Sequence, residues 1–149
     1  MRTTTRLPVD QRLGNLVKRA EQVVVAGKTA VLRDLDLTVP QYSALLVLGE
    51  HPGISGANLA RRCMVTPQTM ATMLANLETR GLVERRRSED HGQVLVSRLT
   101  RSGQALLRKA DERAVELERR IADAFTDTER DDLRRYVERL IAAVEPSAR

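Results

Sequence analysis

The 149-residue chain has no tryptophan, one phenylalanine and two tyrosines, so aromatic side chains make up only 2% of it. A platform for stacking unpaired bases needs more rings than that, which argues against a single-strand-binding surface. The single cysteine, Cys63, excludes an intramolecular disulfide, and with two distant histidines it leaves no metal-ligand cluster. The first residues, MRTTTRLPVD, contain no apolar run of the kind a signal peptide carries. No stretch is long and apolar enough to span a bilayer. Also missing are a Ser/His/Asp or Cys/His arrangement, a paired-carboxylate motif and a glycine-rich phosphate loop. These absences predict a soluble, cytoplasmic protein that is not an enzyme and takes no metal, cofactor or membrane partner.

What the chain does have is an unevenly placed positive charge. Residues 54–101 hold 8 basic and 4 acidic residues, net +4, whereas 1–53 are net +2 and 102–149 net −1. A polyanion would therefore meet the middle segment first. Basic residues often only solvate a surface, so charge alone does not decide the matter.

Apolar residues keep helical spacing from about Asp10 to Asp34, with Gly27 marking a bend or a locally weak turn. Pro40 opens a second helix with Tyr42, Leu45, Leu46 and Leu48 on its apolar face, and His51-Pro52-Gly53 stops it. Ser55 caps a third helix that turns Leu59, Ala60 and Cys63 inward. Thr66 caps a fourth, with Pro67 in its first position, Met70, Leu74 and Leu77 buried, and a stop at Arg80-Gly81. Two short strands, Leu82 to Arg87 and Val94 to Leu99, flank a turn at Glu89 to Gly92.

From Thr100 the chain is helical again. The stripe Leu106, Leu107, Ala110, Ala114, Leu117, Ile121, Ala124, Phe125 predicts a helix of about seven turns. Thr126 and Glu129 form a capping box for a last helix, with Leu133, Tyr136, Val137, Leu140, Ile141 and Val144 inside. The first helix and the last two carry more apolar surface than a small core can cover, and a second copy of the chain is the simplest cover. A larger monomeric helical core is the alternative.

Two helices joined by a short turn, then two strands with a basic tip, make a winged helix-turn-helix. On the fourth helix Gln68, Thr69, Thr72 and Asn76 point away from the buried positions and share a face. Gln and Asn can pair bidentately with an adenine edge, and Thr offers a hydroxyl and a methyl to thymine. In the wing, Arg85 and Arg87 share one face and Arg86 takes the other; Arg86, Arg87 and His91 are the candidates for the DNA backbone and minor groove. Arg61 and Arg62 on the third helix are candidate phosphate contacts.

The stretches LARRCMVTPQTMATMLANLETRGLVERR and VLVSRLTRSGQALL resemble the MarR family of winged-helix transcriptional regulators, and the likeness runs from about Leu13 to Val144. The resemblance implies a homodimer whose recognition helices sit in adjacent major grooves and whose wings touch the minor groove. It further implies terminal helices in the dimer interface, and release of DNA when a small aromatic or phenolic molecule enters a pocket. That pocket would be lined from the first, second and fifth helices, with Tyr42 among its walls. The family's wing reads Asp-x-Arg, whereas this chain has Asp90-His91-Gly92, so His91 or Arg87 stands in for the arginine. Met64 replaces the glycine common after the third helix, which predicts a tighter turn. Family members that sense oxidants carry their cysteine near the start of the first helix; Cys63 lies in the helix-turn-helix core and reads as a buried, inert thiol.

The expected fold is mainly α with a small β-wing: one MarR-like domain over 1–149, a winged helix-turn-helix over 39–100, and dimerisation helices at 10–34 and 101–145. The expected partners are a pseudo-palindromic double-stranded operator, a second copy of the chain, and a small aromatic or other apolar ligand that releases a repressor. A winged-helix module that binds proteins and not specific DNA is the competing expectation.

Overall fold

The structure, a computed structural model, describes residues 7–145. Most of the N-terminal stretch searched above for a leader, residues 1–6, lies outside the described residues, as do residues 146–149. The elements are α1 (Leu13–Leu32), α2 (Val39–Glu50), β1 (Ile54–Ser55), α3 (Gly56–Arg62), α4 (Pro67–Thr79), β2 (Val83–Arg87), β3 (Leu95–Leu99), α5 (Arg101–Ala122) and α6 (Asp127–Val144). By its contacts the chain divides after Ala114 into two compact units.

The first unit contains the winged helix. The helices α2, α3 and α4 each start where a side chain satisfies a free backbone N–H, whereas α1 has no side-chain cap. Thr38 accepts from the Gln41 N–H, and the Gln41 side chain returns a bond to the Thr38 N–H. Ser55 accepts from Asn58 and Thr66 from Thr69. Leu32, Leu45, Leu48, Leu59, Met70, Leu74 and Leu77 converge on one core with Val83 from the sheet. The sheet is antiparallel in the order β1-β3-β2, with Val83 opposite Leu99 and Arg87 opposite Leu95. Two-residue β1, opposite Ser97 and Val96, is a strand that the sequence reading lacks. It is too short to show an alternation, and it exists only because β3 offers it a partner.

Three expectations need correction. The α1 helix runs unbroken through Gly27, so the glycine marks at most a locally weak turn and does not interrupt the helix. Cys63 is half-buried, not fully enclosed; burial pushes its thiol pKa up, away from the thiolate range. Met64 does not tighten its turn. It adopts the left-handed conformation, φ 55°, and leaves its side chain 92% exposed.

That left-handed residue ends α3: the Val65 N–H reaches back to the Ala60 carbonyl at 3.0 Å. An L-residue there carries a steric cost of roughly 1–2 kcal/mol that glycine avoids. Replacing Met64 by Gly should therefore stabilise the fold by about 0.5–1 kcal/mol, net of glycine's larger unfolded-state entropy. Denaturant titration of the two proteins measures this; a loss of stability would show that the Met64 side chain makes a compensating contact.

The second unit, from Val115, is the C-terminal part of α5 and the whole of α6. Thr126 and Glu129 form the expected capping box, and Arg130 donates to the Ala122 carbonyl at 2.8 Å, fixing the connection. The stripe expected inside α6 is not buried within one chain. Leu133, Tyr136, Val137, Ile141 and Val144 are all exposed, and Leu140 is half-buried. In the first unit, Leu13, Leu16, Val17 and Val23 of α1 are exposed as well.

Candidate nucleic-acid interface

The α4 helix is held by three buried residues, Met70, Leu74 and Leu77, and this fixes which positions face outward. Gln68, Thr69, Thr72 and Asn76 are all exposed, as expected from their spacing. Their hydrogen bonds separate them. Gln68 has its side chain free of any partner among the described residues, and Thr72 donates its hydroxyl to the Gln68 carbonyl at 3.2 Å, which leaves the methyl outward. The Thr69 hydroxyl is engaged with Thr66 at 2.9 Å, inside the helix cap. The Asn76 Oδ1 accepts from Gln41 Nε2 at 3.1 Å, so its amide is turned toward α2.

Every one of the eight cations in residues 54–101 is an arginine, the side chain suited to phosphate and base edges in a fixed fork geometry. Arg85 is bound to Glu78 through both Nε, at 3.2 Å, and Nη2, at 3.0 Å. The pair straps β2 to the end of α4, and the Arg85 hydrogen bonds hold the Glu78 carboxyl below its ordinary pKa. Arg86 lies on the opposite strand face and pairs with Glu84 at 3.3 Å, largely in solvent. Such an exposed pair is weak and would exchange readily for a phosphate. Arg61 donates to Asn58 at 3.0 Å. Arg62 and Arg87 face no carboxylate within ion-pair distance among the described residues, and both are exposed.

The wing tip is a tight structure. Ser88 accepts the His91 N–H at 3.2 Å, and the His91 carbonyl accepts the Val94 N–H at 2.8 Å. This holds His91 at the exposed apex, close in sequence to Arg87. The helix-turn-helix and the wing therefore present Gln68, Arg62, Arg87 and His91 as unencumbered side chains and Thr72 through its methyl, while Thr69 and Asn76 are partly committed.

The sequence profile of the MarR family matches residues 35–93. An HTH-type transcriptional repressor of Mycobacterium tuberculosis, Rv2887, is 36% identical over 131 residues, covering 88% of this chain and 94% of that one. The chain belongs to the MarR family of transcriptional regulators. Among solved structures, the transcriptional repressor CouR bound to a 23-mer DNA duplex is similar with TM-score 0.82 and 28% identity over 92% of this chain and 99% of that one. Rv2887 in complex with p-aminosalicylic acid is similar with TM-score 0.68 and 35% identity over 87% of this chain and 98% of that one.

The family resemblance implies a pocket lined from the first, second and fifth helices, with Tyr42 among its walls. Tyr42 is buried and donates its hydroxyl to Asp111 of α5 at 2.7 Å, a contact between the second and fifth helices. A cavity of about 580 Å³ lies among α1, α2 and α4, with Thr29, Arg33, Gln41, Asn76 and Arg80 on its walls. Sequence periodicity did not show it, because its walls come from three helices and the turn between α1 and α2, and not from one helix face. No helix among the described residues is long and apolar enough to cross a membrane.

Proposed function

We propose that the chain is a cytoplasmic, homodimeric repressor that reads a pseudo-palindromic double-stranded DNA site and is released by a small aromatic or other apolar ligand. The single observation that carries the DNA reading is the exposed row on α4, Gln68 and Thr72, flanked by the unpaired Arg62 and Arg87. It occurs in a chain whose relative over 88% of its length is a transcriptional repressor. A winged helix related to CouR, which is bound to duplex DNA, supports the same docking mode. The complex of Rv2887 with p-aminosalicylic acid supports a small aromatic effector.

On this reading residues 39–100 are the DNA-binding region. Gln68 and Thr72 contact base edges, with Thr69 and Asn76 at the margins of the same face. Arg61, Arg62, Arg86 and Arg87 contact phosphates, and His91 stands at the minor groove. Helices within 10–34 and 101–145 form the dimer interface. The exposed Leu13 and Leu16 of α1 and Leu133 and Ile141 of α6 support that assignment, since isolated chains rarely leave such faces open. The chain acts by binding and not by catalysis.

The test is affinity for duplex DNA from around its own gene, titrated across salt, with an unrelated duplex alongside. Tight binding to a pseudo-palindrome with half-sites about 34–36 Å apart and a steep salt slope is the expected outcome. Equal, weak, salt-insensitive association with both duplexes would favour a protein-interaction module.

A further inference from the structure

A second cavity, about 400 Å³, opens where the end of α2, strand β3 and the first turns of α5 meet. Leu48, Leu99 and Leu107 form its floor, and the exposed Arg98 and Arg108 stand at its mouth. Neither arginine has a hydrogen-bond or ion-pair partner among the described residues, and no carboxylate lines the cavity. The Arg98 guanidinium lies over Gly53, whose lack of a Cβ leaves it room; a Cβ there would stand 3.2 Å from Arg98 Nη2.

We propose that this cavity binds a small aliphatic carboxylate, its hydrocarbon on the leucines and its carboxylate between Arg98 and Arg108. The volume falls within the range of small-molecule sites, about 300–1,000 Å³. Two guanidinium groups without a counter-charge favour an anion, and a carboxylate matches their fork geometry. The lining contains no aromatic ring to stack on, which separates this ligand from the aromatic effector proposed above; Gln104 is its one uncharged polar side chain. The site shares no residue with the 580 Å³ cavity. A role in regulation would rest on the DNA-binding reading; binding itself does not.

The experiment is calorimetric titration of the full chain, without DNA, with octanoate and with octanamide, which keeps the chain and removes the charge. Octanoate should bind once per chain with sub-millimolar Kd, and octanamide at least tenfold more weakly. Arg98→Gln and Arg108→Gln, both at exposed positions, should each weaken octanoate at least fivefold while the thermal transition stays in place. Absence of binding up to millimolar octanoate, equal affinity for the amide, or full affinity in both arginine variants would each overturn the proposal. Because DNA is absent, failure of the repressor reading leaves these outcomes unchanged, and DNA titration of the ligand-free protein reports on that reading separately.

Discussion

Gly103→Ala should unfold the winged helix at a temperature on the order of 10 °C below the parent, a loss of about 3 kcal/mol or more. The added Cβ would stand well inside contact distance of the Leu82 carbonyl oxygen and 3.0 Å from its carbonyl carbon. That carbonyl cannot move aside cheaply, because it already accepts the Thr100 N–H at 3.1 Å. Around it the Thr100 hydroxyl donates to the Gly81 carbonyl at 2.6 Å and accepts the Gly103 N–H at 3.0 Å. This knot joins the end of α4, the start of β2 and the start of α5. Relief of the overlap must therefore break one of these bonds or tilt α5. Gly14→Ala is the control: nothing lies within 4 Å of that Cβ, and an exposed helical site should gain up to about 1 kcal/mol. Thermal unfolding of both variants checks the pair. Equal, small shifts would show that α5 can move away from the Leu82 turn without cost.

The knot also shows how far sequence alone reached. The text TRSGQALL gives Thr100 as a helix cap, and the bond to the Gly103 N–H confirms that local reading. It does not give the reason for the glycine, which is a backbone from another turn pressing on α5. The same division runs through the chain. Caps at Thr38, Ser55, Thr66 and Thr126 depend on side chains within three residues, and the last three are legible from spacing; Thr38 displaces the expected start at Pro40 by one residue. The core face of α4 is equally legible, because its burial follows the helical period. What spacing could not give are partnerships across elements. Arg85 differs from Arg87 only because Glu78 reaches it from α4, and Asn76 differs from Thr72 only because Gln41 reaches it from α2. The apolar stripe of α6 was legible as a stripe, but periodicity says that a face needs cover and not what covers it.

Those partnerships sharpen what substitutions on the DNA-facing surface should do. Gln68→Ala removes a side chain with no partner among the described residues, so its fold cost is small and its effect falls on base reading. Discrimination at one base pair per half-site should drop by about 1–3 kcal/mol, or roughly five- to 150-fold in relative affinity, with the salt slope unchanged. Arg87→Ala should instead weaken every sequence alike. Since a dimer carries the change twice, its slope of log K against log salt should flatten by about two, and not by the one expected of a single phosphate contact. Arg85→Ala provides the contrast, because its guanidinium is committed to Glu78. It should loosen the strap between β2 and α4 and lower affinity with little change in slope. Fluorescence anisotropy across a salt series, on the operator and on single-base variants of it, separates the three. If Arg85→Ala flattened the slope as much as Arg87→Ala, the Glu78 pair would have to open on the duplex, and the phosphate-contacting surface would extend along the same face of β2 toward α4.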